Sequence, residues 1–513
     1  MKKLDLFLIG LAAIAGGALF WLGQKNEKSE AIVELADKPS KPVVAHLDAP
    51  PEADLQASPQ SGLISKEDSP GDLEEKRLEN HFRSMDAVGP DAEADYQATL
   101  TDLKKDSMRS IRDLSEAYQD IPEAGYAARW KIVHTLAAIE GDAALEILRS
   151  IAKQPVPSEK LPSAHGLSSA EEERAIRVTA IDGIASLAMN GNAEADSALL
   201  RLAVETGNLS LQRRAIRGYL AAGATDEKRA EFLRTQIEPG RHHLINLDVT
   251  LPDEVLPKVE PEFEAVGSMR RWLESAAIST AWAAECYHPI TEGKDGEPYV
   301  DVAASYEARY SSSGWCSKAK IDKMWKDFKL EGKYWDAIAG FNQPCNLDFP
   351  LGRTLNTLWF LLISDPNPAW NLDDRSGSIL HWGYNYAATV STHLRLVCDG
   401  TVPHALAYYN TPSGTMNVTW SWAMGSDIVN RGGTIIHEAR HHKKPHGPSD
   451  CFRGSSCDPD WGYSGANTYE AAWYWKFYRS AVNTTPAHKD RAKVLGQMVI
   501  DEAFVVPPSF TIY

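Results

Sequence analysis

The sequence predicts a multi-domain chain with a membrane-directed N-terminal segment, an α-helical repeat region and an α+β domain stapled by disulfides. Three observations carry this prediction. A single long apolar run, Leu6 to Gly23, opens the chain. From about residue 86 to 240, alanine, leucine, arginine and glutamate recur with helical periodicity. All six cysteines and thirteen of the fifteen tryptophans follow residue 263, which marks a change of domain. A length of 513 residues leaves room for such a division, at roughly 100–200 residues per domain. The net charge of −17, with no basic block to neutralise phosphates, excludes a nucleic-acid-binding surface.

Residues 1–24 read as a membrane anchor or signal segment. Lys2 and Lys3 precede the apolar run, and Gln24-Lys25 follow it. At a helical rise of 1.5 Å per residue the run covers about 27 Å, enough to cross a thin hydrocarbon core. Ala13 and Ala15 offer a cleavage site, but Leu19, Phe20, Trp21 and Leu22 continue the apolar stretch past it. An uncleaved inner-membrane anchor is therefore expected, with secretion the outcome if the segment is cut. The lysines keep the short end cytoplasmic and place the rest on the periplasmic side of a bacterial envelope. Residues 25–85 carry six prolines among Ser, Asp, Glu and Lys, and read as a disordered tether.

The helical region, 86–240, repeats a pattern. Arg129 precedes Leu136-Ala137-Ala138, Arg177 precedes Ile184-Ala185-Ser186, and Arg213 precedes Leu220-Ala221-Ala222. Each block then reaches a Gly or Asn turn and a second helix rich in leucine. Spacings of 48 and 36 residues (positions 129, 177 and 213) fit a helix-pair repeat. The pattern resembles the HEAT-like repeat family, which implies a solenoid with a surface for a protein partner. Residues 241–262, spaced by Pro252, Pro257 and Pro261, read as a linker.

In the C-terminal domain, 263–513, helices are expected near 268–285, 317–330, 353–363 and 466–482. Strand-like runs at Ala405–Tyr409 and Met416–Trp420 flank the turn-forming Thr411-Pro412-Ser413-Gly414. Six cysteines in an exported region read as three disulfides, Cys451–Cys457 being the expected close pair.

The chemistry concentrates in Gly433-Thr434-Ile435-Ile436-His437-Glu438-Ala439-Arg440-His441-His442, on a helix capped by Ser426 or Asp427. His437 and His441, four residues apart, project from one side of that helix and can share an ion at about 2.0–2.1 Å. Glu438 is rotated by about 100° and reaches a water on that ion rather than the ion itself. A cation polarises a carbonyl and brings the pKa of its water to about 7, and a carboxylate removes the proton. No P-loop, dinucleotide fingerprint or nucleophile elbow is present.

This His-Glu-x-x-His helix after strands resembles the zincin-type metallopeptidases, over about 40 residues by that motif and its context. The resemblance implies an edge strand that binds extended peptide, a Zn²⁺ cofactor and Glu438 as catalytic base. Arg440 and Lys443 are charged where the family has uncharged residues, and the longer metzincin signature is absent, Lys444 and Gly447 standing at its positions. Glu470, at the start of another helix, resembles the third ligand of the gluzincin arrangement and is expected to join His437 and His441. His446 and Asp450 are the alternatives, and Tyr463, Tyr469 and His488 are possible oxyanion donors. The expected function is that of a membrane-tethered extracytoplasmic zinc metallopeptidase acting on protein or peptide. A second reading is a repeat scaffold with a non-catalytic C-terminal binding domain that holds a structural metal or none.

Overall fold

The computed structural model describes residues 70–123, 125–157, 169–223 and 227–245, and residues 315–512 except 333, 336–337, 369–377, 400–404, 448–450, 452–455 and 509. The anchor, the tether up to residue 69, the linker beyond 245, the expected helix at 268–285, Cys286 and Asp450 lie outside them. Among the described residues no helix is long and apolar enough to cross a membrane. The described part is mostly helical with one small sheet.

The first element is α1, Pro70–Met85. The last part of the expected tether is therefore helical. Its reason is visible in the spacing of Leu78, Phe82 and Met85, which pack into the helical core. There follow α2 (Ala92–Lys104), α3 (Ser107–Asp120), α4 (Tyr126–Ile139), α5 (Asp142–Ala152), α6 (Ser169–Met189), α7 (Ala193–Glu205), α8 (Leu209–Ala222) and α9 (Glu227–Gln236). A 3₁₀ turn at Pro239–Leu244 ends the run. Asn192 and Asn208 cap α7 and α8 by accepting from the Ala195 and Leu211 amides. Gly183 of α6 lies against Ala137 of α4 and Leu148 of α5, and Gly218 of α8 lies against Ala185 of α6 and Leu199 of α7. A Cβ would come within 3.0 Å of Ala137 and Leu148 at Gly183 and of Ala185 at Gly218, so the residue type permits the close approach.

The C-terminal elements are α10 (Lys318–Asp327), α11 (Pro350–Ile363), α12 (Ile379–Val390), β1 (His393–Val397), β2 (Ala407–Asn410), β3 (Thr415–Thr419), α13 (Trp420–Gly425), α14 (Ile428–Arg440), α15 (Ala466–Ser480) and α16 (Pro486–Glu502). The sheet order is β1-β3-β2. The expected hairpin forms β2 and β3, antiparallel in the register Ala407 to Val418 and Asn410 to Thr415. β1 joins β3 in parallel. Disulfides link Cys316 to Cys345 and Cys451 to Cys457.

Two apolar cores result, and α16 is a wall of both. Its Ala487, Val494 and Met498 enter the helical core, whereas Ala492, Leu495, Val499 and Ile500 enter the core around α14. Buried charges follow the same seam. Arg491 pairs with Glu172 of α6 at 2.7 Å and with Asp427 at 2.8 Å. Glu502 accepts from Arg174 at 2.9 Å and from the Ser210 hydroxyl at 2.8 Å. Asp68–Tyr513 is one compact unit, so both expected domains fall within it.

Candidate metal centre

Helix α14 starts where Asp427 accepts a hydrogen bond from the Asn430 amide at 2.9 Å. Every residue of the helix is buried. It crosses α15 closely because Gly432 and Gly433 present no side chain there. A Cβ on Gly432 would stand 2.8 Å from the Trp473 ring, and one on Gly433 would collide with the Tyr474 hydroxyl. One turn onward from Gly433 on α14 is His437, and one turn back from Tyr474 on α15 is Glu470. The glycine contact therefore brings those two side chains level, and Glu470 Oε2 lies 2.9 Å from His437 Nδ1.

The three rings of His437, His441 and His446 face one another. Ring centroids are 5.0 Å apart for His437–His441, 5.1 Å for His437–His446 and 4.5 Å for His441–His446. One ligand nitrogen from each lies within 4.8 Å of the other two. In all three rings Nδ1 meets an acceptor outside the cluster. His437 donates to Glu470, His441 to the Lys444 carbonyl at 3.0 Å, and His446 to Asp458 Oδ1 at 3.4 Å. That pattern assigns the proton to Nδ1 and leaves Nε2, which is buried in each ring, as the nitrogen that could take a metal. Such a donor set suits a borderline cation such as Zn²⁺ at three positions, with a fourth left for water.

His446 reaches the cluster through a path held at several points. The chain leaves α14 by a turn at His441–Lys443. The Gly447 amide donates to the Cys457 carbonyl at 2.8 Å, and the Tyr463 hydroxyl donates to the Pro445 carbonyl at 2.8 Å. The segment past the helix end is thus held with Pro445 and Gly447 tied down on either side of His446. Lys444 Nζ donates to the Tyr463 carbonyl at 2.7 Å.

The structure brings His446, one of the expected alternatives, into the cluster with His437 and His441. Glu470 stands behind His437, on the Nδ1 side of its ring, and the residue in the cluster is His446. All three expected oxyanion donors are engaged elsewhere in the fold, Tyr463 through its hydroxyl on the Pro445 carbonyl. Tyr469 is buried beneath the Arg440 guanidinium, whose carbon is 4.1 Å from the ring centroid, and His488 on α16 pairs with Thr484, just before that helix, at 2.9 Å. Arg440 also donates to the Ser464 carbonyl at 2.9 Å, which explains how a cation is accommodated inside this helix. Sequence reasoning missed Asp458, which carries no signal beyond its place after Cys457.

Glu438 is fully buried. Burial, and then the nearby Glu470 carboxylate, push its carboxyl well above the usual carboxylate range, opposed by the Tyr409 amide of β2. No known family matches the chain, and neither a curated protein nor a solved structure does.

Proposed function

We propose that this protein is an extracytoplasmic zinc metallopeptidase, anchored in the inner membrane by residues 6–23 and acting on protein or peptide. The observation that carries the reading is the convergence of three imidazoles, each with its Nδ1 engaged by an oxygen. His437, His441 and His446 would hold the ion, and Glu470 would fix the His437 ring. A bound zinc ion supplies Lewis acidity and lowers the pKa of a neighbouring water to about 7. Glu438 would accept the proton of the attacking water on its carboxylate and pass it to the leaving amine.

The flanking architecture supports a peptide substrate. Among the described residues β2 is an edge strand antiparallel to its neighbour β3, and the Tyr409 amide on it reaches Glu438. An extended backbone can add to such an edge. In the helical region, α6 and α8 each pack on both helices of the preceding pair, as HEAT-like repeats do. That region would recruit the substrate or a partner.

The test is Glu438→Gln in the full chain. The enzyme reading predicts retained zinc and loss of peptide hydrolysis. In the scaffold reading neither form hydrolyses peptide, and partner binding is the same in both.

A further inference from the structure

We infer that Asp458 is the positioning residue that joins two arms of the metal centre, so that His446 and His437 are oriented together. This rests on the metal-centre reading above and goes beyond it by assigning a residue outside the ligand set and outside the motif.

Asp458 is fully buried. Its two carboxylate oxygens serve different elements. Oδ1 faces His446 Nδ1 at 3.4 Å. Oδ2 accepts from the Thr468 amide at 3.1 Å and from the Thr468 hydroxyl at 3.4 Å. Thr468 is the third residue of α15, where backbone amides lack partners inside the helix, so a carboxylate from another segment caps it. Two residues further on, Glu470 holds His437 Nδ1. One oxygen thus fixes a ligand directly, and the other fixes the helix end that carries the partner of a second ligand.

The remaining donor near His446 supports this assignment. Asn467 Nδ2 lies 3.5 Å from His446 Nδ1, but its hydrogens are directed to the Ser456 carbonyl at 2.9 Å and the Ala503 carbonyl at 3.3 Å. The acceptor for the His446 proton is therefore Asp458. Asp458 is itself held at both backbone ends, its amide donating to the Ala503 carbonyl at 3.0 Å and its carbonyl accepting from the Val505 amide at 3.0 Å. Gly465 allows the close approach, since a Cβ there would fall 2.6 Å from Asp458 Cγ. The adjacent Cys457 is bonded to Cys451, so the loop that presents Asp458 is closed covalently.

The experiment is zinc titration of the full chain against a competing chelator, for wild type, His441→Ala, Asp458→Asn, Glu470→Gln and the double variant, with the melting temperature of each zinc-free form. Asp458→Asn removes the charge that faces His446 and leaves only a neutral, weaker acceptor to cap the helix that carries Glu470. It should lower zinc affinity about 10- to 100-fold, in the range of orienting partners of metal-bound histidines. The double variant should lose less than the product of the two single losses, because each change loosens the His437 arm. Multiplying losses would remove the joint role, and unchanged zinc affinity with a lower melting temperature would reduce Asp458 to a helix cap. If Asp458→Asn fails to fold, ¹⁵N-histidine NMR of the zinc-bound wild type decides: a proton on His446 Nδ1 is expected, and one on Nε2 overturns the proposal. Wild type that binds zinc no better than His441→Ala would sink the metal-centre reading and this proposal with it.

Discussion

Glu470 holds His437 by Nδ1 at 2.9 Å and stands outside the imidazole cluster. The relationship depends on how closely α15 approaches α14, and that approach depends on two glycines.

Gly433→Ala should therefore act on the site from a distance. The added methyl meets the Tyr474 hydroxyl, and Tyr474 is itself buried and cannot swing away freely. Overpacking of this kind costs about 1–3 kcal/mol. The displaced α15 should also loosen Glu470 from His437. Thermal melting together with zinc titration should show both losses, whereas a loss of stability alone would mean that the helix crossing does not set the ligand geometry.

Arg491 should be indispensable to folding. It is buried and paired with both Glu172 and the helix-capping Asp427. Arg491→Ala leaves the buried Glu172 and the partly buried Asp427 without this cation, a change that costs about 3–5 kcal/mol. By the same packing, a fragment of residues 263–513 exposes Val494 and Met498 and should aggregate. A soluble, cooperatively melting fragment would contradict the shared-wall role of α16.

Two buried histidines should weaken the fold in acid. Burial, aided at His81 by His134 and Lys131, brings the pKa of His81 to about 4. Burial likewise brings His488 to about 4 against the pull of Asp86 and Asp427. Both values lie below the ordinary 6.5, so the unfolded chain binds more protons between the two limits. Stability is complete above about pH 6.5 and falls by roughly 1.4 kcal/mol per pH unit for each histidine down to about pH 4. Denaturant titrations of the zinc-free chain across this range should show the slope, and His81→Gln should flatten it. An unchanged slope in that variant would exclude His81 as a contributor.

The disulfide count leaves one pairing to find. With Cys316–Cys345 and Cys451–Cys457 formed, the expected third bond can join only Cys286 and Cys398. Peptide mapping without reduction should recover that linked pair, and two titratable thiols would contradict it.

Much of the site was legible because it is local. The His437–His441 spacing, the Asp427 cap, the β2–β3 hairpin and the short Cys451–Cys457 link each rest on neighbours in sequence. The third histidine was less so. Pro445 correctly signals a helix end, but the return path of His446 depends on Cys457, Asp458 and Tyr463, which lie further along the chain. Whether Glu470 ligates or orients is a matter of which side of one ring it meets. Helix α16 escaped notice although Thr485 and Pro486 form a clear start signal, because it is buried against two cores and its apolar positions do not form one stripe. The alternation of Leu394 and Leu396 in β1 was readable and was missed.

The most direct measurement is zinc content by elemental mass spectrometry of the purified full chain, beside His446→Ala and Glu470→Ala. About one zinc per chain is expected in the wild type, with loss in His446→Ala and zinc retained at weaker affinity in Glu470→Ala. Zinc kept by His446→Ala and lost from Glu470→Ala would contradict this and restore the carboxylate as the third ligand.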